Sequence, residues 1–361
     1  MYLLGTGSGL NRMGRYGYLL STCSSDLGSF FVSLCSVKNI LRGKPPMKNI
    51  KSCCILLVAC LLLACFAGCG TSAQKEPDPS ADGGKTEETG IHFTDMLGRE
   101  IHLDAPVERL AVLTAADCEI VYALGAGELV VGRGEYCNYP AEVLEVPSVQ
   151  SGYETNIEQV MALQPDVLLM SSMDQSQEQV GQIEQAGITV VLSNADTLEG
   201  VYECIEMIGI LLGKEAEAKE LSDGMKSDLA ELAEKGFNGE KSVYFEVSPL
   251  EWGLWTAGKN TFMNEIAEIL GLENCFAEVD GWGMISEEQV LLRNPDVIVS
   301  NTMYFGEGPT PTEEILGRTG WENVSAVKNE AVLNLQNDEL TRPGPRLVDG
   351  AQALYDFVAA H

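Results

Sequence analysis

The sequence contains an internal echo that strongly limits what the chain can fold into. Residues 156–168 read NIEQVMALQPDVL and residues 286–298 read SEEQVLLRNPDVI, so the two segments align at an offset of 130 positions. Each predicts a helix N-cap at Asn156 or Ser286, a glutamine three residues later as in a capping box, a short helix, a Pro-Asp turn and a buried strand. A chain that repeats such a unit is expected to form two similar lobes.

The segments around the echo alternate between strand-like and helix-like patterns. In chain order, the expected strands and helices of the first run lie at 109–113, 117–124, 129–132, 157–163, 167–170, 176–185 and 189–192. A second run starts with a strand near 242–247, has another at 297–300 and closes with a helix at 347–359. Such alternation predicts the α/β class with parallel sheets.

The stretch between the two runs shows no strand pattern. Apolar residues recur there at helical spacing, and residues 214–235 are expected to form a single long helix. The predicted domains of the body are therefore an N-terminal α/β lobe over 91–198, a helical linker over 199–240 and a C-terminal α/β lobe over 241–361.

The chain before residue 91 has the composition of a targeting segment. Residues 47–68 contain two lysines and then an apolar run, and Ala67 and Gly68 stand directly before Cys69. This pattern predicts a lipoprotein signal peptide with acylation at Cys69; Cys65 ends a competing cleavage site. The alternative is an uncleaved anchor, although the apolar run is shorter than the roughly 20 residues of a bilayer span.

Two further segments flank the signal peptide. Residues 1–46 form an N-terminal extension of doubtful status, because translation is expected to start at Met47. Residues 69–90 are rich in Gly, Pro, Ser and charged residues and predict a flexible tether. The expected location is the extracellular face of the cell membrane, with a lipid anchor.

The charge of the body excludes some partners. Beyond residue 69, 52 acidic residues face only 16 basic ones. Nucleic acids and anionic lipid surfaces are bound by basic patches, so neither is expected as a partner. A partner that exposes arginines would suit this surface.

Residues typical of catalytic and metal sites are scarce. The sequence has no P-loop, no G-x-S-x-G and no H-E-x-x-H motif, and its histidines are His92, His102 and His361. The body has four cysteines without a C-x-x-C pair, which either form disulfides or remain small buried apolar residues: Cys118, Cys137, Cys204 and Cys275. We therefore predict no catalytic residue, no metal site, no cofactor and no enzymatic activity.

Several short motifs occur together in one known family. They are VERLA at 107–111, ALGAG at 123–127, YCNYP at 136–140, the repeated QV…PDV segment and RPGPR at 342–346. Together they resemble the iron-siderophore and cobalamin periplasmic-binding proteins over about residues 91–360. The resemblance implies two Rossmann-like lobes joined by a rigid long α-helix, a ligand in the cleft, and delivery to a membrane permease driven by an ATPase.

The resemblance also assigns roles to residues. Glu158 and Glu288 match the family's two glutamates, one per lobe, that dock into arginine pockets of the permease dimer. Both lie in the first turn of a predicted helix, where the helix dipole favours a carboxylate even without a partner. In corrinoid-binding members the cleft is lined by aromatic rings and one Asp/Arg set, and the matching positions are Tyr136, Trp255, Trp282, Asp338 and Arg342. Weaker candidates are Tyr153 and Trp252.

The sequence thus predicts a monomeric solute-binding lipoprotein of an ABC importer. Its expected ligand is a metal chelate, either a ferric siderophore, haem or a corrinoid of the vitamin B12 kind, because flat rings suit a flat macrocycle. One alternative is a surface adhesin or scaffold with a degenerate cleft. Another is a zinc or manganese binder, which needs several histidine or carboxylate ligands around one ion.

Overall fold

The computed structural model describes residues 90–151, 155–172, 177–335 and 338–361. The expectations for the N-terminal extension, the signal peptide, Cys69 and the tether concern residues before this part of the chain, and Tyr153 lies in a gap within it. Among the helices of the described residues, none has both the length and the hydropathy needed to cross a bilayer.

The N-terminal lobe is built on a five-stranded parallel sheet. A short antiparallel hairpin, β1 (Ile91–Thr94) and β2 (Glu100–Leu103), precedes it. In pairing order the strands of the sheet are β5 (Ser148–Val149), β4 (Val130–Gly134), β3 (Leu110–Val112), β6 (Val167–Ser171) and β7 (Thr189–Ser193). The chain runs outward from β3 to β5 and then continues on the other side at β6, so β3 and β6 flank a topological switch point.

The C-terminal lobe contains a second, mixed sheet. In pairing order its strands are β11 (Trp282–Met284), β9 (Trp255–Ala257), β8 (Ser242–Ser248), β12 (Val297–Ser300) and β13 (Val332–Asn334), and β10 (Glu273–Asn274) also pairs with β8. β8, β12, β13 and β10 are parallel, whereas β9 and β11 are antiparallel to their neighbours. The α/β class with mostly parallel sheets is therefore confirmed.

Helices connect and cover the strands of both lobes. Those of the described residues are α1 (Ala115–Ala123), α2 (Ile157–Leu163), α3 (Gln177–Gln185), α4 (Leu198–Leu212), α5 (Glu215–Glu234), α6 (Phe262–Ile269), α7 (Glu287–Arg293), α8 (Pro311–Leu316), α9 (Ser325–Lys328) and α10 (Leu347–Ala360). Each strand-like run that the sequence pattern predicted corresponds to a strand. The strands β5, β9 to β11 and β13 and the helices α6, α8 and α9 were not predicted.

Two packed helices lead from the first sheet to the second. α4 ends at Gly213, whose φ of 64° lies in the left-handed region that glycine adopts without strain. The 20-residue α5 then runs for roughly 30 Å. It buries Met225, Leu229 and Leu232, and it packs against both α4 and α10. The connection is therefore held along its length by apolar contacts, which makes it a stiff link.

The echo corresponds to the same local structure in each lobe. α2 and α7 both end at a residue in the left-handed region, Gln164 with φ 48° and Asn294 with φ 49°. The aspartate of each Pro-Asp turn then ties the start of the lobe's first strand: Asp166 Oδ2 accepts from the backbone N–H of Arg109 at 2.9 Å, and Asp296 Oδ2 accepts from that of Ser242 at 2.9 Å. The repeated sequence thus encodes a repeated strand anchor.

The capping box is present in only one of the two copies. In α7, Ser286 Oγ accepts from the Gln289 N–H and Gln289 Oε1 accepts from the Ser286 N–H at 2.8 Å. In α2, Asn156 caps in the same way, but its own N–H donates to the Gln150 carbonyl at 3.0 Å. Gln159 Oε1 accepts instead from the Gln150 N–H. The expectation of a second capping box was wrong because the N-cap amide already has a partner.

The four cysteines of the body are free thiols. Cys118, Cys137 and Cys204 are buried and Cys275 is half-buried. Burial raises the pKa of Cys275 to about 11, so this thiol is protonated and unreactive at neutral pH. The sequence left open whether these cysteines form disulfides or remain small apolar residues, and the structure shows that they remain unpaired.

Two glycines provide a matched test of the packing. A methyl group at Gly258, just after β9, would overlap the backbone oxygen of Val279, whereas one at Gly224, in the middle of α5, has no atom within 4 Å. We expect Gly258→Ala to destabilise the protein by about 1–3 kcal/mol through overpacking. Gly224→Ala should stabilise it by about 0.5–1 kcal/mol through helix propensity. Urea unfolding of both variants measures these changes, and equal effects would contradict the packing at Gly258.

Candidate ligand cleft

A large cavity lies where strands from both lobes end. It has a volume of about 880 Å³ and opens at the carboxyl ends of β8 and β12, two parallel neighbours from which the chain continues to opposite sides of the sheet. Tyr136, two residues after β4 of the N-terminal lobe, also lines it. In open α/β sheets such a switch point is the usual place for a ligand.

The walls of this cleft expose large aromatic side chains. Trp252 is 76% exposed, Phe305 78% and Tyr136 53%, and Tyr304 and Met303 lie beside them. Exposed aromatic rings that converge on one concave surface are typical of binding sites, since their burial by a ligand gives large apolar contact. The cleft therefore suits a large ligand with flat apolar faces.

The loop at residues 301–310 that presents Tyr304 and Phe305 is fixed at both ends. At its start, the Asn301 N–H donates to the Glu246 carbonyl at 3.0 Å, and Asn334 Nδ2 donates to the Thr302 carbonyl at 3.1 Å. At its end, Thr310 caps α8 in a capping box with Glu313. The tip between these anchors is exposed, so its aromatic rings face solvent from a defined position.

A buried ion pair lies beneath this loop. Arg318 donates from Nη1 and Nη2 to the two carboxylate oxygens of Glu246 at 2.7 and 2.8 Å, and both side chains are almost fully buried. Nη2 also contacts Glu314, at the edge of the cleft, at 2.6 Å. Burial raises the pKa of Glu246 despite the nearby guanidinium. The network fixes the end of β8 to α8, and through Glu314 it reaches the lining of the cleft.

A second ion network joins the segment before α10 to the N-terminal lobe. Arg342 Nη1 donates to Glu119 Oε1 of α1 at 2.9 Å and contacts Asp338 through Nη2 at 2.5 Å. Arg346 donates to both oxygens of Glu119 at 2.7 and 2.8 Å. Burial raises the pKa of Asp338. The structure thus brings Asp338 and Arg342 together as the sequence suggested, and Arg342 also makes a buried contact with Glu119 of the other lobe.

The three candidate tryptophans, Trp252, Trp255 and Trp282, differ in whether they line the cavity. Trp282 on β11 donates its indole N–H to Asp196 Oδ1 at 3.1 Å and packs edge-on against Phe262. Trp255 on β9 is 37% exposed and pairs with Met284 in the sheet. Neither lines the cavity described above, and a ligand role for either stays a prediction. Trp252, the weaker candidate, is the tryptophan on the cavity wall.

Sequence reasoning missed Met303, Tyr304 and Phe305. They follow the buried strand β12 after two intervening residues, at the carboxyl end where a parallel sheet binds its ligands. An aromatic pair within five residues of the end of a predicted buried strand was the available signal.

The two glutamates of the echo are both on exposed helix turns. Glu158 lies in the first turn of α2 and Glu288 in that of α7. The Ser286 hydroxyl, by hydrogen bonding, lowers the pKa of Glu288. One helical turn further on, each glutamate has an exposed apolar neighbour, Met161 at 46% and Leu291 at 39%, and these two are again 130 positions apart. The echo therefore repeats a small surface of one carboxylate and one apolar side chain.

Comparison with known proteins gives consistent results. A family model described as periplasmic binding protein matches residues 110–339. The chain is 36% identical over 309 residues to the uncharacterised ABC transporter substrate-binding lipoprotein YvrC of Bacillus subtilis, which covers 83% of this chain and 95% of that protein. It is 26% identical over 255 residues to the vitamin B12-binding protein of Vibrio cholerae, with 70% and 90% of the two chains covered.

A solved structure agrees with these matches. A possible iron-binding (periplasmic solute-binding) protein from Staphylococcus epidermidis is 30% identical and superposes with a TM-score of 0.60, covering 70% of this chain and 98% of that one.

Proposed function

The chain belongs to the periplasmic binding protein family, and on that premise we propose that it holds one bulky metal chelate in the cleft between Tyr136 and the loop at residues 301–310. Proteins of this family bind solutes outside the cytoplasmic membrane and deliver them to ABC importers. The observation that carries the proposal is the cavity of about 880 Å³ with three exposed aromatic rings on its walls.

A corrinoid is the first ligand that we propose. The volume is at the upper end of that of small-molecule pockets, roughly 300–1,000 Å³, and flat rings stack well on a macrocycle. Relatives from Vibrio cholerae and Halobacterium salinarum are named for binding vitamin B12 or cobalamin. Ferric hydroxamates and haem are the other chelates of this class.

Capture is proposed to involve only small movements of the lobes. α5 is a continuous helix packed along its length, and Glu119 with Arg342 and Arg346 forms a buried ion network across the interface. Opening the lobes widely would break the hydrogen-bonded ion pairs of this network. The ligand therefore enters a cleft that is already formed.

Delivery is proposed to use the repeated surface of Glu158 and Glu288. The two carboxylates, one on each lobe, suit exposed arginines of a permease dimer, and the apolar neighbours Met161 and Leu291 add contact area. Acylation at Cys69 would hold the monomeric protein at the membrane beside the permease.

Removal of the aromatic wall tests the ligand proposal. We expect Trp252→Ala and Phe305→Ala each to weaken cyanocobalamin binding about tenfold, because each deletes a large stacking surface. Isothermal titration calorimetry measures the affinity, and Leu144→Ala, an exposed apolar residue that does not line the cavity, is the control. Unchanged affinity in both aromatic variants would place the ligand elsewhere, and failure of the wild type to bind cyanocobalamin, ferrioxamine B or haemin would contradict the function itself.

A further inference from the structure

The walls of the cleft carry charges of one sign. Beside the aromatic rings stand three carboxylates, Glu251, Glu307 and Glu314, and none of the described residues that line the cavity is a lysine, an arginine or a histidine. Glu251 directly precedes the exposed Trp252, and Glu307 lies two residues after the exposed Phe305. Two of the acids thus stand next to the rings on which a ligand would stack.

Glu251 and Glu307 are also free to act on a ligand. Both are exposed, and within the described part of the chain neither takes part in a hydrogen bond or an ion pair. Their negative charge is therefore balanced only by solvent ions, or by the molecule that fills the cleft.

Three arginines near the cleft walls are already paired with carboxylates. Arg318 contacts two carboxylates, Arg342 contacts two and Arg346 contacts two, one of them shared with Arg342. Their partners are Glu246, Glu314, Glu119, Asp338 and Glu339. These three guanidinium groups thus face five carboxylates, and the described residues that line the cleft supply no positive charge for a ligand anion.

From this arrangement we infer that the cleft selects its chelate by charge, binding a cationic chelate more tightly than a neutral one and excluding anionic ones. The inference rests on the proposed function, and it narrows the class of ligand. A concave site with walls of low dielectric constant focuses the field of its charges, so two unpaired carboxylates act on the whole bound chelate. Chelates with free propionates or catecholate charge are repelled, whereas corrinoid amides and cationic hydroxamates are accepted.

A series of ferrioxamine B derivatives varies the charge on one chelate. Ferrioxamine B has a net charge of about +1 from its free amine, the N-acetyl derivative is neutral and the N-succinyl derivative carries about −1. We expect the affinity of the purified full-length protein to fall about fivefold per step in 20 mM salt, and less than about twofold per step in 0.5 M salt. Cyanocobalamin and its monocarboxylic acid provide a second pair of ligands, which also differ by one unit of negative charge.

The double variant Glu251→Gln with Glu307→Gln tests the residues themselves. It should reduce the difference in affinity between successive members of the charge series to less than about twofold. The control, Glu220→Gln with Glu234→Gln on α5, removes the same net charge from exposed positions outside the cleft and should leave the steps as in the wild type.

The outcomes separate the inference from the function on which it rests. The inference is supported if affinity falls from the cationic to the anionic derivative in the wild type and in the control variant, and if this fall is absent in the cleft variant. Equal or tighter binding of the anionic derivatives overturns it and leaves the chelate-binding function intact. If no chelate binds in any charge state, the proposed function fails and the inference fails with it.

Discussion

Replacing Glu158 and Glu288 together by alanine is expected to lower chelate uptake by whole cells more than about tenfold while ligand affinity in solution stays within about twofold of the wild type. Both carboxylates lie on exposed helix turns, and neither lines the aromatic cleft. Removal of the two carboxylates deletes charged contacts to the permease and leaves the ligand contacts in the cleft unchanged. Uptake of labelled chelate and calorimetry on the purified variant measure the two effects.

The control for this experiment keeps the same local chemistry. Glu178 and Asp349 are also exposed acids in the first turn of a helix, in α3 and α10. Their replacement by alanine should cost only the dipole interaction, about 0.3–1 kcal/mol each, and leave uptake unchanged. Equal loss in both double variants, or no loss in the first, would remove the docking role from Glu158 and Glu288.

Replacing Arg318 by methionine is expected to cost about 3–5 kcal/mol of unfolding free energy at pH 7.5, because Glu246 is then left buried without a partner. Burial already raises the pKa of Glu246, and removal of Arg318 raises it further. A carboxyl whose pKa is raised in the folded state stabilises that state when protonated, and this stability is lost as the pH rises through the raised pKa. The loss of unfolding free energy in the Arg318→Met variant should therefore become smaller as the pH falls from 7.5 to 5.

Urea unfolding at both pH values measures this penalty. The double variant Glu246→Gln with Arg318→Met, which buries no charge, should recover most of the lost stability and show little dependence on pH over this interval. Glu314 and Tyr244, which also face Glu246, are kept unchanged in all variants. A single variant within about 1 kcal/mol of the wild type would show that the ion pair does not hold β8 to α8.

Much of the fold was predictable because its determinants are local. The buried strands β6 and β12 are continuous apolar runs that follow Pro-Asp turns, and the echo shows that each lobe repeats this unit. The break at Gly213 and the apolar spacing in α5 likewise follow from backbone and side-chain periodicity. Short elements such as β9 and α8 were missed, because three to six residues carry too little periodicity for such a prediction.

The cleft was less predictable because it depends on contacts between distant segments. Asp338 and Arg342 were expected near the ligand, yet Arg342 binds Glu119, a residue far away in the sequence. Trp282 likewise meets Asp196 from the other lobe. No local pattern indicates such pairs. Phe305 lies in a loop without periodicity, and only its position after a buried strand indicates that it faces the cleft.

The position of the bound metal is the most direct test of the central claim. The protein would be crystallised with cyanocobalamin and, separately, with ferrioxamine B, and anomalous difference maps would be recorded at the cobalt or iron edge. The account predicts one metal peak inside the cavity, between Tyr136 on one side and Trp252 and Phe305 on the other. Maps with no peak for either chelate, or with the peak outside this cleft, would contradict it.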